Sequence, residues 1–366
     1  MYNIKVKAYH NNKLKKLSSM VDTSAHIWNY CVALQKRYYR LYGAYINVNK
    51  LQKHIAKIRK TNNHWKTLNS QTVQELCQRL DIAYQRFFKR TSKRPPKFKK
   101  RKDFKSFVLK QSGWKLENGC LIINKVKHKF IQTRDFDNIK RITVKRDNFG
   151  DFYFVFCCDM MLEKFKRVGD STIGIDFGLK HFLTISNGEI VDSPEFYKKS
   201  LAKLKKANKE LSSKRKGSNN RRRALLNLQR IHRDTFNKRE DFEWKLAHRL
   251  CSNHSFIAIE DLNIEGMKKL WGRKVSDLSY SSFVLKLEQV ANKYNTTIQK
   301  IDRWYPSSKT CGCGVVNKEL TLSDRIWTCP SCNVVNDRDL LASNNILSEG
   351  IRLYRTKHKT EIVSAV

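Results

Sequence analysis

Hydrophobic and polar positions alternate in the first residues of the chain and then change to helical spacing. The alternation over residues 4–9 has the two-residue period of a half-buried strand. Apolar residues then recur at helical spacing over residues 14–28 and 72–88, which predicts amphipathic helices. The second stripe consists of Val73, Leu76, Leu80, Ala83, Phe87 and Phe88. The prolines at 95–96 end this helical region, because proline breaks a helix interior.

A β-rich texture follows over residues 107–161. Short runs of β-branched and aromatic residues are separated by Gly and Asn turns, which is typical of strands. The clearest runs are residues 121–123, 141–144 and 152–158. A lone opening strand needs partners, so residues 4–9 are predicted to pair within this β domain, with the helices of about residues 13–92 inserted between them.

A third region starts at Ser171 and mixes strands with helices. Strands are predicted at residues 172–176, 181–186, 256–259 and 297–301, and helices at residues 282–294 and 339–351. Residues 196–253 form two basic helical stretches with an apolar seam, broken by Gly and Asn at 217–220, so we expect an antiparallel helical hairpin. The tip of this hairpin carries the cations Lys214, Arg215, Lys216, Arg221, Arg222 and Arg223.

The charge balance points to the class of partner. With 74 Lys and Arg against 33 Asp and Glu, the 366-residue chain carries a formal charge of +41. Such a charge repels itself in a compact state unless a polyanion neutralises it, so nucleic acid or another acidic surface is expected and an enzyme of small metabolites is disfavoured. The hydrophobic content of 40% argues against wholesale disorder. We see no membrane-length apolar run and no signal-peptide pattern, so we expect an intracellular protein without a membrane partner.

Three acidic residues are candidates for one shared site. Asp176 and Glu260 each end an apolar strand, and Asp339 begins the final helix. A carboxylate at the end of a buried strand is costly to ionise without a counter-charge. Two Mg²⁺ ions would supply that charge, since hard cations prefer carboxylate oxygens. Two such ions roughly 4 Å apart can activate water and stabilise the leaving oxygen of a phosphodiester.

Each of these acids also has a purely structural alternative. Asp176 could be a turn residue before Gly178, Glu260 could pair with a nearby lysine, and Asp339 could be the N-cap of the final helix. The two strand-ending positions and the excess positive charge favour the metal interpretation when the three acids are taken together.

Four of the ten cysteines crowd into a short window. Cys311-Gly312-Cys313 and Cys329-Pro330-Ser331-Cys332 are two tight pairs separated by a strand-like stretch, which is the spacing of a zinc ribbon. In a reducing compartment this pattern indicates a closed structural Zn²⁺ site, with free thiols as the alternative. The first pair is short, because one residue separates its cysteines where two separate the second pair.

These motifs, in this order, resemble the TnpB family, transposon-encoded relatives of the type V CRISPR effectors. The matching pieces are Gly174-Ile175-Asp176-Phe177-Gly178-Leu179-Lys180, Ile259-Glu260-Asp261-Leu262, Ser307-Ser308-Lys309-Thr310-Cys311, Arg325-Ile326-Trp327-Thr328-Cys329 and Asp337-Arg338-Asp339. Residues 95–102 also resemble a Pro-x-Phe-Lys segment of the family. Besides the short first cysteine pair, two positions depart from the family pattern: Asn336 stands where many members have His, and Leu341 where most have Asn.

The resemblance implies an α/β multidomain architecture. The implied domains are a small oligonucleotide-binding, WED-like β-barrel (residues 1–12 and 93–168), an inserted helical REC lobe (13–92), a RuvC-like nuclease domain with an RNase H fold (169–306 and 336–366) and a zinc-ribbon insertion (307–335).

The resemblance also implies an activity and its partners. Such a protein is an RNA-guided endonuclease that carries a guide RNA derived from the transposon end, opens double-stranded DNA beside a short adjacent motif and cuts both strands at one RuvC site. It is a monomer in a ribonucleoprotein, in the cytoplasm of a bacterium or archaeon and associated with the nucleoid. The implied site residues are Asp176, Glu260 and Asp339 for catalysis and Mg²⁺, and Cys311, Cys313, Cys329 and Cys332 for Zn²⁺.

A guide RNA paired to DNA needs cationic grooves along its phosphates. The candidates are Lys97, Lys99, Lys100, Arg101, Lys102 and Lys105, with Arg221 and Arg222 at the hairpin tip and Arg338 beside Asp339. Their alternative is a solvated basic face. By resemblance, readers of the adjacent DNA motif are expected at a helix start formed by Asn69, Ser70, Gln71 and Gln74, although Ser70 could simply cap that helix.

Three other functions share parts of this pattern. An RNA-guided DNA-binding repressor would keep the binding surfaces without cutting, but all three acids are present, which favours an active nuclease. An ATPase of the actin and sugar-kinase type shares the Gly-x-Asp-x-Gly strand end, but no second glycine-rich phosphate loop follows. A transposase that catalyses strand transfer uses similar acids.

Overall fold

The computed structural model describes residues 2–132, 135, 138–159, 164–263, 266, 269, 272, 277–321 and 324–363. The chain divides into two units, Met1–Met161 and Leu162–Val366. Each unit has its own sheets and its own buried apolar core.

Long helices in the first unit follow the apolar stripes of the sequence. Their bounds are Leu14–Tyr42 (α1), Val48–Thr61 (α2) and Ser70–Phe88 (α3), with short 3₁₀ turns at Trp65–Thr67 and Arg101–Asp103. Asn47 and Asn69 cap α2 and α3, because their side-chain oxygens accept hydrogen bonds from the N–H groups of Lys50 and Thr72. Gly43 ends α1 in the left-handed conformation, with a φ of 61°.

The apolar stripe of α3 is buried over most of its length. Val73, Leu76 and Leu80 lie in the core as predicted, but Phe88 is 48% exposed and Tyr84 takes the next buried position. Tyr84 lies one turn after Leu80 and continues the same row of the helix surface, whereas Phe88 belongs to the last turn. The end of α3 therefore lies at the rim of the core.

Antiparallel strands form two sheets in the first unit. The strands are Tyr2–Lys7 (β1), Ser106–Leu109 (β2), Trp114–Glu117 (β3), Cys120–Ile123 (β4), Val126–Lys129 (β5), Ile139–Arg146 (β6) and Phe152–Cys158 (β7). One sheet has the order β1-β7-β6-β2 and the other β3-β4-β5. β1 pairs along its whole length with β7, which confirms that the opening strand joins the later β-rich segment. Asp147 closes the turn between β6 and β7 by accepting hydrogen bonds from the N–H groups of Phe149 and Asp151.

A five-stranded sheet forms the centre of the second unit. Its strands are Ser171–Asp176 (β8), His181–Ile185 (β9), Ile190–Asp192 (β10), His254–Glu260 (β11) and Thr297–Ile301 (β12). The order is β10-β9-β8-β11-β12, with an antiparallel meander of β8, β9 and β10, and with β11 and β12 parallel to β8. Parallel neighbours need long crossover connections, which contain the helices of this unit. β10 was not predicted, because a strand of three residues shows no period.

The helices and the last hairpin of the second unit follow the sequence closely. Their bounds are Phe196–Ser213 (α4), Asn219–Asn253 (α5), Tyr280–Tyr294 (α6) and Arg338–Val363 (α7), with the hairpin strands Ile326–Thr328 (β13) and Val335–Asp337 (β14) before α7. α4 and α5 form the predicted helical hairpin, and its apolar seam includes Leu204, Ala207, Leu211, Leu228 and Ile231. α7 extends beyond its predicted end at residue 351, because its later turns lack an apolar stripe that the sequence could show. None of the described helices combines the length and the apolar character needed to cross a membrane.

Side chains alternate between the two faces of the five-stranded sheet. On one face, Ile173, Ile175, Ile257 and Ile259 pack against α5 and α6. Gly174 and Ala258 lie on the opposite face, which α7 covers. Because successive side chains of a strand point to opposite faces, Asp176 and Glu260 also lie on the α7 face.

Gly174 allows α7 to lie directly on β8. A Cβ atom at this position would be 2.1 Å from the carbonyl oxygen of Ser343 and 2.6 Å from the backbone nitrogen of Leu347. Neither backbone atom can move without the helix, so we expect Gly174→Ala to lower the free energy of unfolding by about 2 kcal/mol. Thermal unfolding beside Gly312→Ala, whose added Cβ would meet nothing within 4 Å, measures the effect. Equal melting temperatures for the two variants would contradict this packing.

Candidate functional site

The register of β8 and β11 places Asp176 and Glu260 side by side. Ile175 is paired with Ile259, so the next residue of each strand reaches the same carboxyl-terminal edge of the sheet. Both carboxylates are on the face that α7 covers, and Asp339 lies in the first turn of α7. Two neighbouring strands and one helix therefore bring the three predicted acids to one edge of the sheet.

The structural alternatives predicted for Asp339 and Glu260 are wrong: Asp339 is not the N-cap of α7, and no lysine of the described residues pairs with Glu260. The cap of α7 is Asp337, whose carboxylate accepts a hydrogen bond from the N–H of Leu340 at 2.9 Å. Asp339 instead pairs with Arg325, at an N–O distance of 3.0 Å. Glu260 has no lysine partner among the ion pairs of the described residues; its Oε1 accepts a hydrogen bond from the hydroxyl of Ser307 at 2.5 Å.

Burial and like charges make the carboxylate of Asp176 hard to ionise. Loss of hydration, followed by the charges of Glu260 and Asp339, raises the pKa of Asp176 from 3.8 to about 8, against the opposing effects of Arg338 and the N–H of Phe177. Burial also raises the pKa of Glu260, although the hydrogen bond from a hydroxyl opposes it. A bound cation is what such a group of acids needs for all its members to ionise.

The three carboxylates interact electrostatically without forming a closed metal cage. Within the described ranges, only the cysteine window gathers three or more His, Cys, Asp or Glu ligand atoms closely enough for one ion. Glu260 is held by Ser307 and Asp339 by Arg325, so two of the three acids have side-chain partners of their own.

Four cysteine sulfurs form a tight tetrad. The Sγ atoms of Cys311, Cys313, Cys329 and Cys332 all lie within 4.8 Å of one another, and those of the Cys311–Cys332 and Cys313–Cys329 pairs are 3.6 Å apart. Tetrahedral Zn–S bonds of about 2.3 Å require S–S separations of roughly 3.8 Å, whereas a disulfide requires about 2.05 Å. The tetrad is therefore compatible with a structural Zn²⁺ ion, and the short first pair does not prevent this geometry.

Backbone N–H groups favour the thiolate form of two of these cysteines. The N–H groups of Cys332 and Ser331 lower the pKa of the Cys329 thiol to about 6. The N–H of Cys313 likewise lowers the pKa of Cys311. Since zinc binds thiolates, the turns that carry the cysteines are suited to the ion.

Residues around the tetrad connect it to α7. Asn336 donates a side-chain hydrogen bond to the Cys311 sulfur at 3.7 Å, which is an outer-shell contact of the kind that orients metal ligands. Leu341 packs with Trp327 in the small core of this segment. The two positions that depart from the family pattern thus both lie against the zinc segment. Because β14 runs directly into α7, the position of Asp339 depends on this segment.

The basic segment after the paired prolines lies along α1 in the first unit. Asn29 holds the backbone of Lys99, accepting from its N–H at 2.8 Å and donating to its carbonyl oxygen at 2.9 Å. The ammonium group of Lys99 lies 4.8 Å from the centre of the Trp28 ring, and burial lowers its pKa. An open groove of about 420 Å³ runs here, lined by Ala25, His26, Asn29, Phe98, Lys99, Lys100 and Arg101. Of the cations predicted in this segment, Lys105 is half-buried, and the exposed ones are Lys97, Lys99, Lys100, Arg101 and Lys102.

The start of α3 separates two of the four predicted DNA-reading residues, Gln71 and Gln74. The cap is Asn69, so the alternative that Ser70 caps this helix is wrong. Gln71 is partly buried, and its amide oxygen accepts a hydrogen bond from the N–H of Ser112 at 3.0 Å. Gln74 is exposed. Gln74 is therefore the better placed of the two for contact with another molecule.

Two of the predicted phosphate-binding arginines have partners within the fold. Arg221 donates to two carbonyl oxygens at the end of α4, at 2.7 and 3.1 Å. Arg338 is only 8% exposed and donates to the carbonyl oxygens of Thr321 and Asp324. The prediction of a phosphate contact is corrected for Arg338, because a buried guanidinium cannot reach the solvent side of the site. Arg222 is exposed at the hairpin tip, as predicted.

Three residues at the acidic edge had no role assigned from the sequence. Ser307 and Arg325 lie inside the motifs that carried the family resemblance, so the pattern marked them without giving their chemistry. Tyr280 begins α6, and its hydroxyl donates to the carbonyl oxygen of Gly178. This contact fixes the turn that follows Asp176. No local pattern in the sequence indicates it.

Two family models match successive parts of the chain. Residues 156–270 match the OrfB_IS605 model, described as "Probable transposase", and residues 280–346 match the TNB domain of Cas12f1-like proteins. The first match contains Asp176 and Glu260, and the second contains the cysteine tetrad and Asp339.

Similar proteins cover most of the chain. A protein of Streptomyces pristinaespiralis named "Putative RNA-guided DNA endonuclease" is 32% identical over 293 residues, 78% of this chain and 72% of that protein. InsQ of Escherichia coli K12, which bears the same name, is 26% identical over 348 residues, 88% of this chain and 86% of that protein. The Cas12f1 protein of a solved Cas12f1–sgRNA–target DNA complex has a TM-score of 0.58 at 15% identity, over 92% of this chain and 83% of that one, so the two share a fold.

The sheets and helices define a mixed α/β protein built around several sheets, with a fold similar to that of Cas12f1. The chain belongs to the TnpB family, as its sequence motifs predicted.

Proposed function

We propose that the chain is an RNA-guided DNA endonuclease that hydrolyses phosphodiester bonds with Asp176, Glu260 and Asp339. The observation that carries the proposal is the meeting of these three acids at one sheet edge, where the pKa of Asp176 is raised to about 8. A chain of charge +41 that concentrates acids at one point suits a polyanionic substrate cut with the help of metal ions. Family membership supports guidance by RNA, because the relatives are named for that activity.

The donor set at the acidic edge fits Mg²⁺. Carboxylate oxygens are the protein ligands that Mg²⁺ prefers. Burial, followed by the charges of Glu260 and Asp339, raises the pKa of Asp176, and a bound cation would oppose this rise. Asp176, Glu260 and Asp339 would hold two Mg²⁺ ions, which would supply activation of the attacking water and stabilisation of the leaving oxygen.

Residues of the chain orient each acid in this mechanism. The hydroxyl of Ser307 fixes Glu260, and the N–H of Phe177 fixes Asp176. Arg325 pairs with Asp339 but is itself 51% exposed, so its guanidinium can exchange the carboxylate for a phosphate of the substrate. This exchange would free Asp339 when cations enter the site.

The domain assignment implied by the family is part of the proposal. Residues 169–306 and 336–366 would form the RuvC-like domain with an RNase H fold, supported by the strand order β10-β9-β8-β11-β12 with its meander and two parallel strands. Residues 307–335 would be the zinc-ribbon insertion, supported by the tetrad. Residues 1–12 and 93–168 would be the WED-like barrel around a REC lobe at 13–92, supported by the pairing of β1 with β7 across the inserted helices.

The proposed partners are a guide RNA derived from the transposon end and double-stranded DNA, bound by a monomeric protein. In the first unit, the exposed cations Lys99, Lys100 and Arg101 line a groove together with the exposed ring of Phe98, a combination that suits phosphates and bases. Gln74 carries an exposed amide, which is the group that reads adenine edges. We assign Gln74 to recognition of the adjacent motif and Gln71 to support of that helix start.

Cleavage by the purified ribonucleoprotein tests this function. The RNA that copurifies with the chain is sequenced to define the guide, and a plasmid library with the matching target and randomised flanks is incubated with the complex and Mg²⁺. A nuclease linearises plasmids that carry the right flank, whereas an RNA-guided repressor retains them intact. Nucleotide hydrolysis in the absence of nucleic acid, or a lack of copurifying RNA, would contradict the proposal.

Ser307→Ala should weaken the use of Mg²⁺ without abolishing cleavage. The change removes the hydroxyl that opposes the rise in the pKa of Glu260, so this acid becomes harder to ionise. We expect the Mg²⁺ concentration for half-maximal cleavage to rise about tenfold, and the difference to shrink at higher pH, where Glu260 ionises in both proteins. Ser307→Thr keeps the hydroxyl and is the control. Identical Mg²⁺ titrations for the Ala and Thr variants would rule out a role for this hydrogen bond.

A further inference from the structure

Trp304 exposes its ring more than any other aromatic residue in the described ranges. The side chain is 82% exposed. Among the described residues, its indole has no ring, cation or hydrogen-bond partner, although tryptophan normally buries most of its large apolar surface. A single exposed aromatic residue has no meaning by itself, so its setting decides whether it matters.

The loop that carries Trp304 is held in one conformation. The carboxylate of Asp302 accepts a hydrogen bond from the N–H of Trp304 at 2.8 Å, and its carbonyl oxygen accepts one from the N–H of Tyr305 at 3.2 Å. Arg303 pairs with Asp261, and Tyr305 packs against the small core beneath α7. An exposed ring on a fixed backbone is prepared to bind a flat partner at little entropic cost.

Both ends of this loop contact Glu260. Ile301, three residues before Trp304, is paired with Glu260 across β12 and β11. Ser307, three residues after it, donates the hydrogen bond to the Glu260 carboxylate. The loop thus leaves the sheet at the acidic edge and returns to it within a few residues. Trp304 is consequently the exposed ring on the border of the candidate nuclease site.

We infer that Trp304 is a stacking platform for an unpaired nucleobase of the DNA strand that enters the acidic edge. An exposed indole offers a π-face, and nucleobases are the flat groups that a phosphodiester substrate brings with it. The base must be unpaired, because bases inside a duplex are stacked on their neighbours and cannot reach a protein ring. This inference rests on the proposed nuclease function and names the substrate form at that site: single-stranded DNA, held by a base next to the bond that is cut.

Binding of single-stranded DNA to an uncleaving protein tests the inference without reliance on activity. The full chain with its copurified RNA carries Asp176→Asn, and fluorescein-labelled oligothymidine is titrated in the presence of Mg²⁺. We expect Trp304→Ala to weaken binding about tenfold or more and Trp304→Phe to retain most of it, because stacking on a ring is sequence-tolerant. The Trp304→Leu variant keeps an apolar side chain but has no planar ring, so it should bind as weakly as Trp304→Ala. Phe236→Ala, which removes a ring that is 54% exposed on α5, is the matched control and should bind normally.

A second measurement locates the contact. Oligothymidine with one 5-iodouracil is irradiated on the complex, and the expected crosslink is to the peptide that contains Trp304. Unchanged binding by Trp304→Ala, or equal binding by the Leu and Phe variants, would overturn the stacking role. A change from dimer to monomer in Trp304→Ala would instead show that the ring contacts a second copy of the chain. The nuclease assignment fails separately, if the Asp176→Asn protein still cuts DNA.

Discussion

Replacement of Asp176 by Asn should abolish cleavage of target DNA and leave guide-RNA and DNA binding nearly intact. The amide lacks the negative charge that a divalent cation needs, and Asp176 is the acid whose charge interacts with both Glu260 and Asp339. We expect the cleavage rate to fall about a thousandfold or more, as for other groups that stabilise charge in the transition state. Single-turnover cleavage and gel-shift titrations of the same ribonucleoprotein measure the two effects. Cutting at the wild-type rate would remove Asp176 from the mechanism.

The same substitution should raise the stability of the protein in Mg²⁺-free buffer with zinc retained. Because the folded protein raises the pKa of Asp176 from 3.8 to about 8, folding favours the protonated acid. The loss of stability caused by ionising Asp176 is absent below pH 3.8, grows as the pH rises from 3.8 to about 8, and is complete above that pH. Asn does not titrate, so its advantage in melting temperature should be near zero at pH 4 and about 5 °C at pH 8.

A matched surface substitution separates this effect from a general loss of negative charge. Asp241→Asn removes an exposed carboxylate that pairs with Lys245 one turn away on α5, and exposed pairs of this kind contribute little to stability. Its melting temperature should follow the wild type at every pH, and it should cut DNA normally. If both Asn variants gain stability equally, the gain comes from net charge and not from the acidic edge.

Replacement of Cys329 by Ala should remove bound zinc and, with it, most of the cleavage activity. A tetrad with three ligands no longer closes around the ion, and the apolar core of this segment is small. We expect zinc content to fall from about one ion per chain to near zero, and cleavage to fall about a hundredfold. Zinc analysis, limited proteolysis within residues 307–335 and cleavage assays provide the readouts.

Cleavage should depend on zinc because the zinc segment positions Asp339. The N–H of Arg338 donates to the carbonyl oxygen of Arg325 at 2.8 Å, and the guanidinium of Arg325 pairs with Asp339. Leu341, two residues after Asp339 on α7, packs against the small core that contains Trp327. Cys120→Ala, a buried cysteine in the first unit, is the control that should keep both zinc and activity. Full activity of a zinc-free Cys329→Ala protein would show that Asp339 is held by α7 alone.

The sequence by itself determined the elements and the chemical character of the site. The two-residue and helical periods are properties of neighbouring residues, so β1, α3 and the α4–α5 hairpin could be predicted with nearly correct bounds. The spacing of the cysteines is equally local, and the four sulfurs do come together. The motifs around Asp176, Glu260 and Asp339 also identified the family, because their order along the chain is itself the signal.

The tertiary structure alone decided which residues serve those acids and which cations face solvent. Ser307 holds Glu260 and Arg338 is buried, and neither follows from local pattern, since these contacts join residues far apart in the chain. The close packing of α7 on β8 at Gly174 likewise joins segments far apart in the chain. Backbone approach at that distance depends on every side chain between helix and sheet, which is why only the folded chain could show it.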